Sequence, residues 1–395
     1  MRKILIFSLV YYPRFIGGAE VAIKEITDRI PPSDIEFDLI TLRLDRKLPK
    51  YEKIGNVNVY RVGWSANQKT TSDSLPWYLH LNKYFLLFFG PLKALSLNRK
   101  RKYDAIWSFM ATYNSFAAII FKLIKPKIKF IFTLQDGDPI PYIKHRALPL
   151  YPLFRMMFTK ADYIQAISVY LADWAREMGA KCPITVIPNA VDYDLFYKRD
   201  DPNAIKSLAN KMGKKEGDIF LITTSRLVVK NAVNDLISSL EFLPNNVKIL
   251  ILGKGYEEEN LRKLAMKFEP IHGVGNRVRF LGYIPHSEMS KYLHISDIFI
   301  RPSLSEGLGN SFLEAMAAGI PVIGTPVGGI PDFLKDGETG LFCEVNNPRS
   351  IAKKVEKLIK DKESREYIVR KAREMVNKNY RWEYIAEKMK KILIA

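Results

Sequence analysis

The sequence predicts an α/β protein made of two Rossmann-like, doubly wound domains. Three observations carry that expectation. Short apolar runs alternate with helical patterns in both halves, the arrangement that makes βαβ units and parallel sheets. Runs such as Ile4-Leu5-Ile6-Phe7 are apolar at successive positions, as strands covered by helices on both faces should be. At 395 residues, the chain also exceeds the size at which a single core stops growing.

In the first half the expected strands are Lys3–Val10, Phe37–Leu42, Val57–Val62, Ala105–Phe109, Lys129–Leu134, Asp162–Ile167 and Ile184–Ile187. The apolar run near the start of Met1–Phe15 is short for a signal peptide, lacks a small-residue cleavage site, and reads as a buried first strand. In the second half they are Ile219–Ser225, Val247–Leu252, Val278–Leu281, Asp297–Arg301, Pro321–Thr325 and Leu341–Val345. Helices are expected at Ala19–Ile30, Glu257–Phe268 and Ser311–Ala318. Lys198–Asn203, with its aspartates and Pro202, reads as a linker, which ends a first domain at residue 197 and starts a second at 198. Sheets of this type bind ligands outside the carboxyl ends of their strands, and two of them offer the cleft between them as a site.

Composition narrows the partners. Lys and Arg number 61 against 42 acids, a net charge of +19. Leu75–Lys160 alone holds 14 cations and three acids, Asp104, Asp136 and Asp138. Such a field favours anionic ligands or surfaces, although a solvated basic face would look the same. No recognition motif accompanies the charge, so nucleic acid is not an expected partner. Cys182 and Cys343 are too few and too far apart for a zinc ribbon or a disulfide framework, which suits a reducing, cytoplasmic compartment. The histidines His80, His145, His272, His286 and His294 show no metal-ligand spacing.

The most informative stretch runs from Arg301 to Asp332. A strand ends near Arg301, a loop with Gly307 and Gly309 follows, and a helix begins near Asn310 and Ser311. Backbone N–H groups at a helix start can hold phosphate, and glycines let a ligand approach closely. Glu306 lies in the loop and Glu314 in the first helical turn. Carboxylates there can accept hydrogen bonds from sugar or ribose hydroxyls. Ser311 and Glu314 also fit Ser-x-x-Glu, so helix capping is an alternative role for Glu314.

This stretch resembles glycosyltransferase family 4, retaining enzymes of the GT-B fold. The likeness rests on Glu306 and Glu314 at their spacing, on Ala315-Met316-Ala317-Ala318-Gly319-Ile320-Pro321-Val322, and on Gly328-Gly329. It extends to Tyr12-Pro13 with Gly17-Gly18-Ala19-Glu20, to Ser168, to Pro188-Asn189-Ala190-Val191-Asp192, and to Gly253-Lys254-Gly255. Ala190 stands where the family usually has glycine. The resemblance implies a nucleotide-sugar donor and no metal or other cofactor. It implies that Glu306 meets the donor sugar, Glu314 the ribose, and Gly17, Gly18, Gly253, Gly307, Gly309, Asn310 and Ser311 the rest of the donor. It also implies that residues 376–395 carry a helix that crosses back to the first domain.

The leaving nucleoside diphosphate needs positive charge. Arg226 and Lys230, after the strand Ile219–Ser225, are the expected clamp and part of the catalytic set with Glu306. The family usually spaces these cations by five residues and follows the lysine with glycine; here Lys230 is at four, Asn231 at five, and Ala232 follows. Either Lys230 reaches in from the adjacent position or Asn231 donates a neutral hydrogen bond. Gln135 replaces a histidine usual in the family, and with Asp136 it is expected on the acceptor side. Asp136-Gly137-Asp138 is an Asp-x-Asp pattern that could hold a divalent metal, but the cationic clamp makes a metal unnecessary.

Leu75–Leu97 is rich in aromatics and followed by Arg99-Lys100-Arg101-Lys102, and Leu148–Lys160 is similar. Charges and Pro91 make the first a poor spanning helix. Both suit contact with an anionic membrane surface at its cytoplasmic face, and so a lipid-linked or glycan acceptor. Ordinary helices packed on the first sheet are the alternative. A sugar phosphorylase, a nucleotide-sugar epimerase or a non-catalytic membrane scaffold on the same fold remain as rival functions.

Overall fold

The computed structural model describes residues 1–14, 16–65, 81–272 and 277–395. Phe15, His80 and the start of the Leu75–Leu97 segment lie outside the described residues, as does the His272 side chain. The chain forms two compact units, Met1–Asn189 with Trp382–Ala395, and Ala190–Arg381. The division falls at Asn189 rather than 197, and the chain re-enters the first unit at Trp382 rather than 376. Hydrogen bonding explains the first difference. Val191 N–H donates to the Tyr380 carbonyl at 3.0 Å, and Arg381 pairs with Asp194 at 2.6 Å. The short helix Tyr193–Tyr197 is thereby tied to the second unit. The expected linker also shrinks, because Pro202 starts the helix Pro202–Lys211 and Asp201 caps it.

In the first unit the strands are β1 (Arg2–Phe7), β2 (Ile35–Leu42), β3 (Tyr51–Ile54), β4 (Val57–Val62), β5 (Ala105–Phe109), β6 (Lys129–Leu134), β7 (Tyr163–Ala166) and β8 (Ile184–Val186). They form one sheet in the order β3-β4-β2-β1-β5-β6-β7-β8. All neighbours are parallel except β3 and β4. Ile4 to Phe7 are wholly buried, as their unbroken apolar run requires. β3 is absent from the sequence reading. Its Tyr-Glu-Lys-Ile is an edge strand with no fully buried side chain, so no apolar run marks it. The signal lay in Gly55-Asn56, the two-residue turn between Ile54 and Val57, where Gly55 has φ 54°.

In the second unit the strands are β9 (Ile219–Thr224), β10 (Val247–Leu252), β11 (Val278–Gly282), β12 (Ile298–Arg301), β13 (Val322–Gly324) and β14 (Leu341–Phe342). All pair in parallel, in the order β11-β10-β9-β12-β13-β14. Counted from β9 this is 3-2-1-4-5-6, the doubly wound order. Leu221, Ile249, Ile251, Ile298, Ile300 and Ile323 fill its core beneath the helices.

One buried charge organises the first unit. Asp38, on β2, is 2% exposed. Its oxygens accept from Arg101 Nε and Nη2 at 2.8 Å each, from Asn58 Nδ2 at 2.9 Å, and from the Tyr103 hydroxyl. The brace fixes the end of the helix Asn82–Arg101 against the sheet. Gly90 lets the same helix press against the helix Tyr113–Ile124, since a Cβ there would lie 3.0 Å from that of Ala117. So the basic cluster read from the sequence is not four equivalent surface charges: Arg101 is held in an internal ion pair. Replacing Asp38 by Ala would leave a partly buried guanidinium with only Glu36, 3.5 Å away, and a buried hydroxyl unmatched. The expected loss is about 2–4 kcal/mol of stability, read from chemical denaturation of wild type and variant; an unchanged midpoint would contradict this account of the brace.

Candidate active site

In a 3-2-1-4-5-6 sheet the chain leaves β9 and β12 towards opposite sides, and the gap outside their carboxyl ends is the natural ligand position. The loops that follow these strands meet there. Leu304 N–H donates to the Lys230 carbonyl at 2.7 Å. Arg301, the last residue of β12, joins three segments. Its Nη1 donates to Ser311 Oγ and its Nη2 to Asn231 Oδ1, both at 3.0 Å. It also forms an ion pair with Glu306, whose Oε1 accepts from Gly307 N–H at 3.1 Å. A planar five-donor fork can satisfy three acceptors in fixed directions, which a lysine cannot do.

Sequence reasoning treated Arg301 as the end of a strand and nothing more. The available signal was a cation closing the run Ile298-Phe299-Ile300 at a carboxyl edge, where charge has no packing role.

Asn231 is 2% exposed, and both ends of its amide are engaged: Oδ1 by Arg301, and Nδ2 by the Arg226 carbonyl at 2.6 Å. Asn231 braces the loop from inside, while Arg226 is exposed and Lys230 half-buried on the same loop. Ala232 takes a left-handed φ of 48° at the position where the family prefers glycine.

The helix carrying Glu314 spans Asn310–Ala318 and is capped by Gly309, whose φ is 101°. The Ser311–Glu314 capping box does not form. Ser311 accepts from Arg301 instead, and Glu314 Oε1 pairs with His286 Nε2 at 2.9 Å. His286 is the first residue of the helix His286–His294, and the sequence marks it only as a histidine without metal-ligand spacing.

The glycines of this site serve close packing between loops. A Cβ on Gly253 would lie 1.8 Å from the Ser225 carbonyl oxygen, and one on Gly328 would lie 1.9 Å from that of Glu306. Gly253 N–H donates to the Gly282 carbonyl at 2.7 Å and Gly329 N–H to the Glu306 carbonyl at 3.1 Å.

The remaining candidates are in the first unit. Gly17 caps the helix Gly18–Asp28 and its N–H donates to Glu20 Oε2 at 2.8 Å. A Cβ on Gly18 would meet nothing within 4 Å, so the space above this helix start is open. Gln135 Nε2 donates to Asn189 Oδ1 at 2.8 Å. Both Asp136 oxygens accept from Ala111 N–H, at 3.1 and 3.2 Å, which ties the loops after β5 and β6 together. Among the described residues no group of three or more His, Cys, Asp or Glu is placed to hold a metal.

Asp136 and Asp138 line one end of a cavity of about 350 Å³ whose other walls include Phe88, Met110, Phe116 and Ile143. Tyr84, Phe88 and Leu92 recur every four residues on the exposed side of Asn82–Arg101, and Phe88 is 67% exposed. The buried side of that helix carries Leu86, Gly90 and Ala94. It is therefore both a packed helix and one with an apolar outer stripe. Among the described residues no helix is long and apolar enough to cross a membrane.

Comparison with known proteins agrees with this geometry. Residues 205–375 match the family model described as glycosyl transferases group 1, and residues 16–195 match that of glycosyltransferase family 4. The chain is 27% identical to N-acetyl-alpha-D-glucosaminyl L-malate synthase of Bacillus anthracis, covering 98% of this chain and 95% of that protein. It is 30% identical to a GDP-mannose-dependent alpha-(1-6)-phosphatidylinositol monomannoside mannosyltransferase of Mycobacterium tuberculosis, covering 58% of this chain and 60% of that one. Among solved structures, sucrose-phosphate synthase of Thermosynechococcus elongatus superposes with a TM-score of 0.81 at 18% identity, covering 99% and 98% of the two chains. Anabaena HepE in complex with UDP-glucose gives 0.77 at 19%, covering 100% and 99%. At such identities the structural matches speak for the fold.

Glu20 offers a pH test of the first loop. Burial pushes its carboxyl up to about 7, against the opposing pull of backbone N–H groups of Glu20 and Gly17. The folded state thus keeps a proton that the unfolded chain releases near 4.5, so this group makes stability fall as pH rises between those values. Glu20→Gln keeps an acceptor for Gly17 N–H and removes the titration. The melting temperature of wild type should fall relative to the variant from about pH 5 to about pH 8; parallel curves would contradict the assignment.

Proposed function

The chain belongs to glycosyltransferase family 4, is a sugar-transferring enzyme of the GT-B fold, and on that footing we propose that it is a retaining transferase moving a sugar from a UDP- or GDP-linked donor to a hydroxyl of a lipid-linked or glycan acceptor. The observation that carries the donor half is the Arg301 network, which gathers Glu306, Ser311 and Asn231 at the switch point of a doubly wound sheet. In this reading the donor lies along the carboxyl ends of β9 and β12. Arg226 and Lys230 hold the diphosphate, and the helix start at Asn310 and Ser311 adds N–H groups and the positive end of its dipole. Glu306 accepts from sugar hydroxyls. Glu314, on the same helix, accepts from the ribose, displacing His286. The diphosphate leaves with its charge matched by fixed cations, without a metal.

UDP and GDP donors are supported by relatives: HepE was solved with UDP-glucose, and the mycobacterial enzyme is GDP-mannose-dependent. The acceptor half rests on the first unit. Its 350 Å³ cavity is mostly apolar and continuous with the stripe of Tyr84, Phe88 and Leu92 through Phe88. Arg99 and Lys100, both in the last turn of the same helix, supply charge for an anionic surface. The mycobacterial relative acts on a phosphatidylinositol mannoside, which favours a lipid-borne acceptor and a peripheral position at the cytoplasmic face of the membrane.

A thermal-shift panel with UDP, GDP, ADP and dTDP, with and without EDTA, tests the donor site. A nucleotide at 100 times its dissociation constant should stabilise the protein by about 2.7 kcal/mol, equally in EDTA, and less in Glu314→Ala. No shift with any nucleotide would sink the donor reading, and a shift abolished by EDTA would restore Asp136 and Asp138 as metal ligands. Arg301→Lys keeps the charge and loses the fork. It should lower kcat/KM by about tenfold or more, whereas wild-type kinetics would mean that the network is dispensable.

A further inference from the structure

The second unit holds a second, larger depression, of about 690 Å³, at the other end of its strands. It lies beside Asp297 and Pro321, which precede β12 and β13, and so opposite the carboxyl ends. Four arginines line it: Arg199, Arg365, Arg370 and Arg373. None of them forms an ion pair with a carboxylate among the described residues. The acids that line the same depression have other cations. Asp297 binds Lys214 Nζ at 2.7 Å, and Glu366 and Glu374 lie 3.8 Å from Lys362 and Lys371. The four guanidinium groups outnumber the three carboxylates that line the same depression, and an anion relieves the repulsion that remains among them.

The site is also built rather than accidental. Arg373 stacks on Tyr197, with 5.3 Å to the ring centroid, and Tyr197 stacks on Tyr193 at 5.2 Å. Its Nη2 donates to the Ala318 carbonyl at 2.9 Å, while its buried Nε has no hydrogen-bond partner. Gly319 makes room for it, because a Cβ there would lie 2.0 Å from Arg373 Nη2. His294 also lines the depression with a side chain only 3% exposed. Its Nε2 faces the Phe196 carbonyl at 2.9 Å. A carbonyl can only accept, so Nε2 carries the proton, and burial keeps the ring neutral. Nδ1 is then a bare acceptor, without a hydrogen-bond partner and 4.0 Å from Asp200.

We propose that this arginine-lined depression is a second ligand site, for the phosphate of a small phosphorylated metabolite such as a sugar phosphate. The chemistry required is a compact dianion matched by two or more guanidinium forks. The site reaches the donor end through one element. Ala318 and Gly319 close the helix Asn310–Ala318, which carries Ser311 in its first turn and Glu314 at its middle, about 12 Å and about 8 Å from Gly319 at 1.5 Å per residue. The proposal stands independently of the donor assignment, since no residue is shared.

The test uses the full chain and four proteins: wild type, Arg365→Glu with Arg370→Glu, Arg199→Glu, and Arg226→Ala with Lys230→Ala. Inorganic phosphate and glucose 6-phosphate are titrated at constant ionic strength, with potassium chloride as control, and binding is followed by thermal shift and calorimetry. Saturable binding is expected in wild type and in the Arg226/Lys230 variant, with at least a tenfold weaker dissociation constant in both variants of the depression. Tighter binding of glucose 6-phosphate than of phosphate identifies an ester ligand; equal binding identifies free phosphate. The proposal is overturned if chloride reproduces the shift, if nothing binds, or if binding disappears with Arg226 and Lys230 instead. Arg199 and Arg370 are exposed and lie on different segments, so loss in both variants cannot be put down to one misfolded helix; circular dichroism checks each.

Discussion

The loops at the carboxyl ends of β9 and β12 depend on one guanidinium. Arg301 lies where β12 stops, and its fork reaches the loop after β9, the loop after β12 and the first turn of the following helix. Apolar packing anchors these segments at Leu227 and Val233 after β9 and at Leu308 and Phe312 after β12, and the polar groups between those anchors are set by the fork. Charge-assisted hydrogen bonds are strong where water is scarce, and here they set the Glu306 carboxylate and the start of a helix in one place. A carboxylate that recognises hydroxyls needs a fixed position more than it needs basicity.

The glycine pattern gains a physical reading from the same region. Gly253, Gly319 and Gly328 each sit where a Cβ would collide, with the Ser225 carbonyl, with Arg373 and with the Glu306 carbonyl respectively. Each also has positive φ, at 138°, 79° and 55°. Gly253 and Gly328 pack backbone on backbone around the site, whereas Gly319, at the far end of its helix, makes room for the Arg373 guanidinium. Gly18 is the different case, because an added Cβ there would enter open space.

Much of this was legible in the sequence for a simple reason. Strands buried on both faces write themselves as apolar runs, and Ala105–Phe109, Lys129–Leu134 and Val247–Leu252 fall where those runs are, while Val57–Val62 is marked by alternation of buried and half-buried positions. β3 did not, because an edge strand has no buried face to record. The loop residues that bear carboxylates and cations were visible as departures from turn chemistry. What could not be read was pairing across distance. Ser311 and Glu314 looked like a capping box because the local rule knows only neighbours, yet their partners are Arg301 and His286, set by the fold. Arg101 looked like one of four surface cations for the same reason, while Asp38 holds it from 63 residues away.

The position of Lys230, which the proposed function assigns to the diphosphate, follows from the same constraint. The family spacing would put the lysine at position 231. In this chain that position is 2% exposed and supplies Arg301 with an acceptor. A lysine has no acceptor to give. Placed there it would set a second cation within hydrogen-bonding distance of a guanidinium, in a site with little water to screen the pair. Asn offers the acceptor through Oδ1 and, through Nδ2, a donor that ties back to Arg226. With an internal arginine at 301, the cation of the loop has to stand outside that network, and the adjacent position that meets this condition is 230.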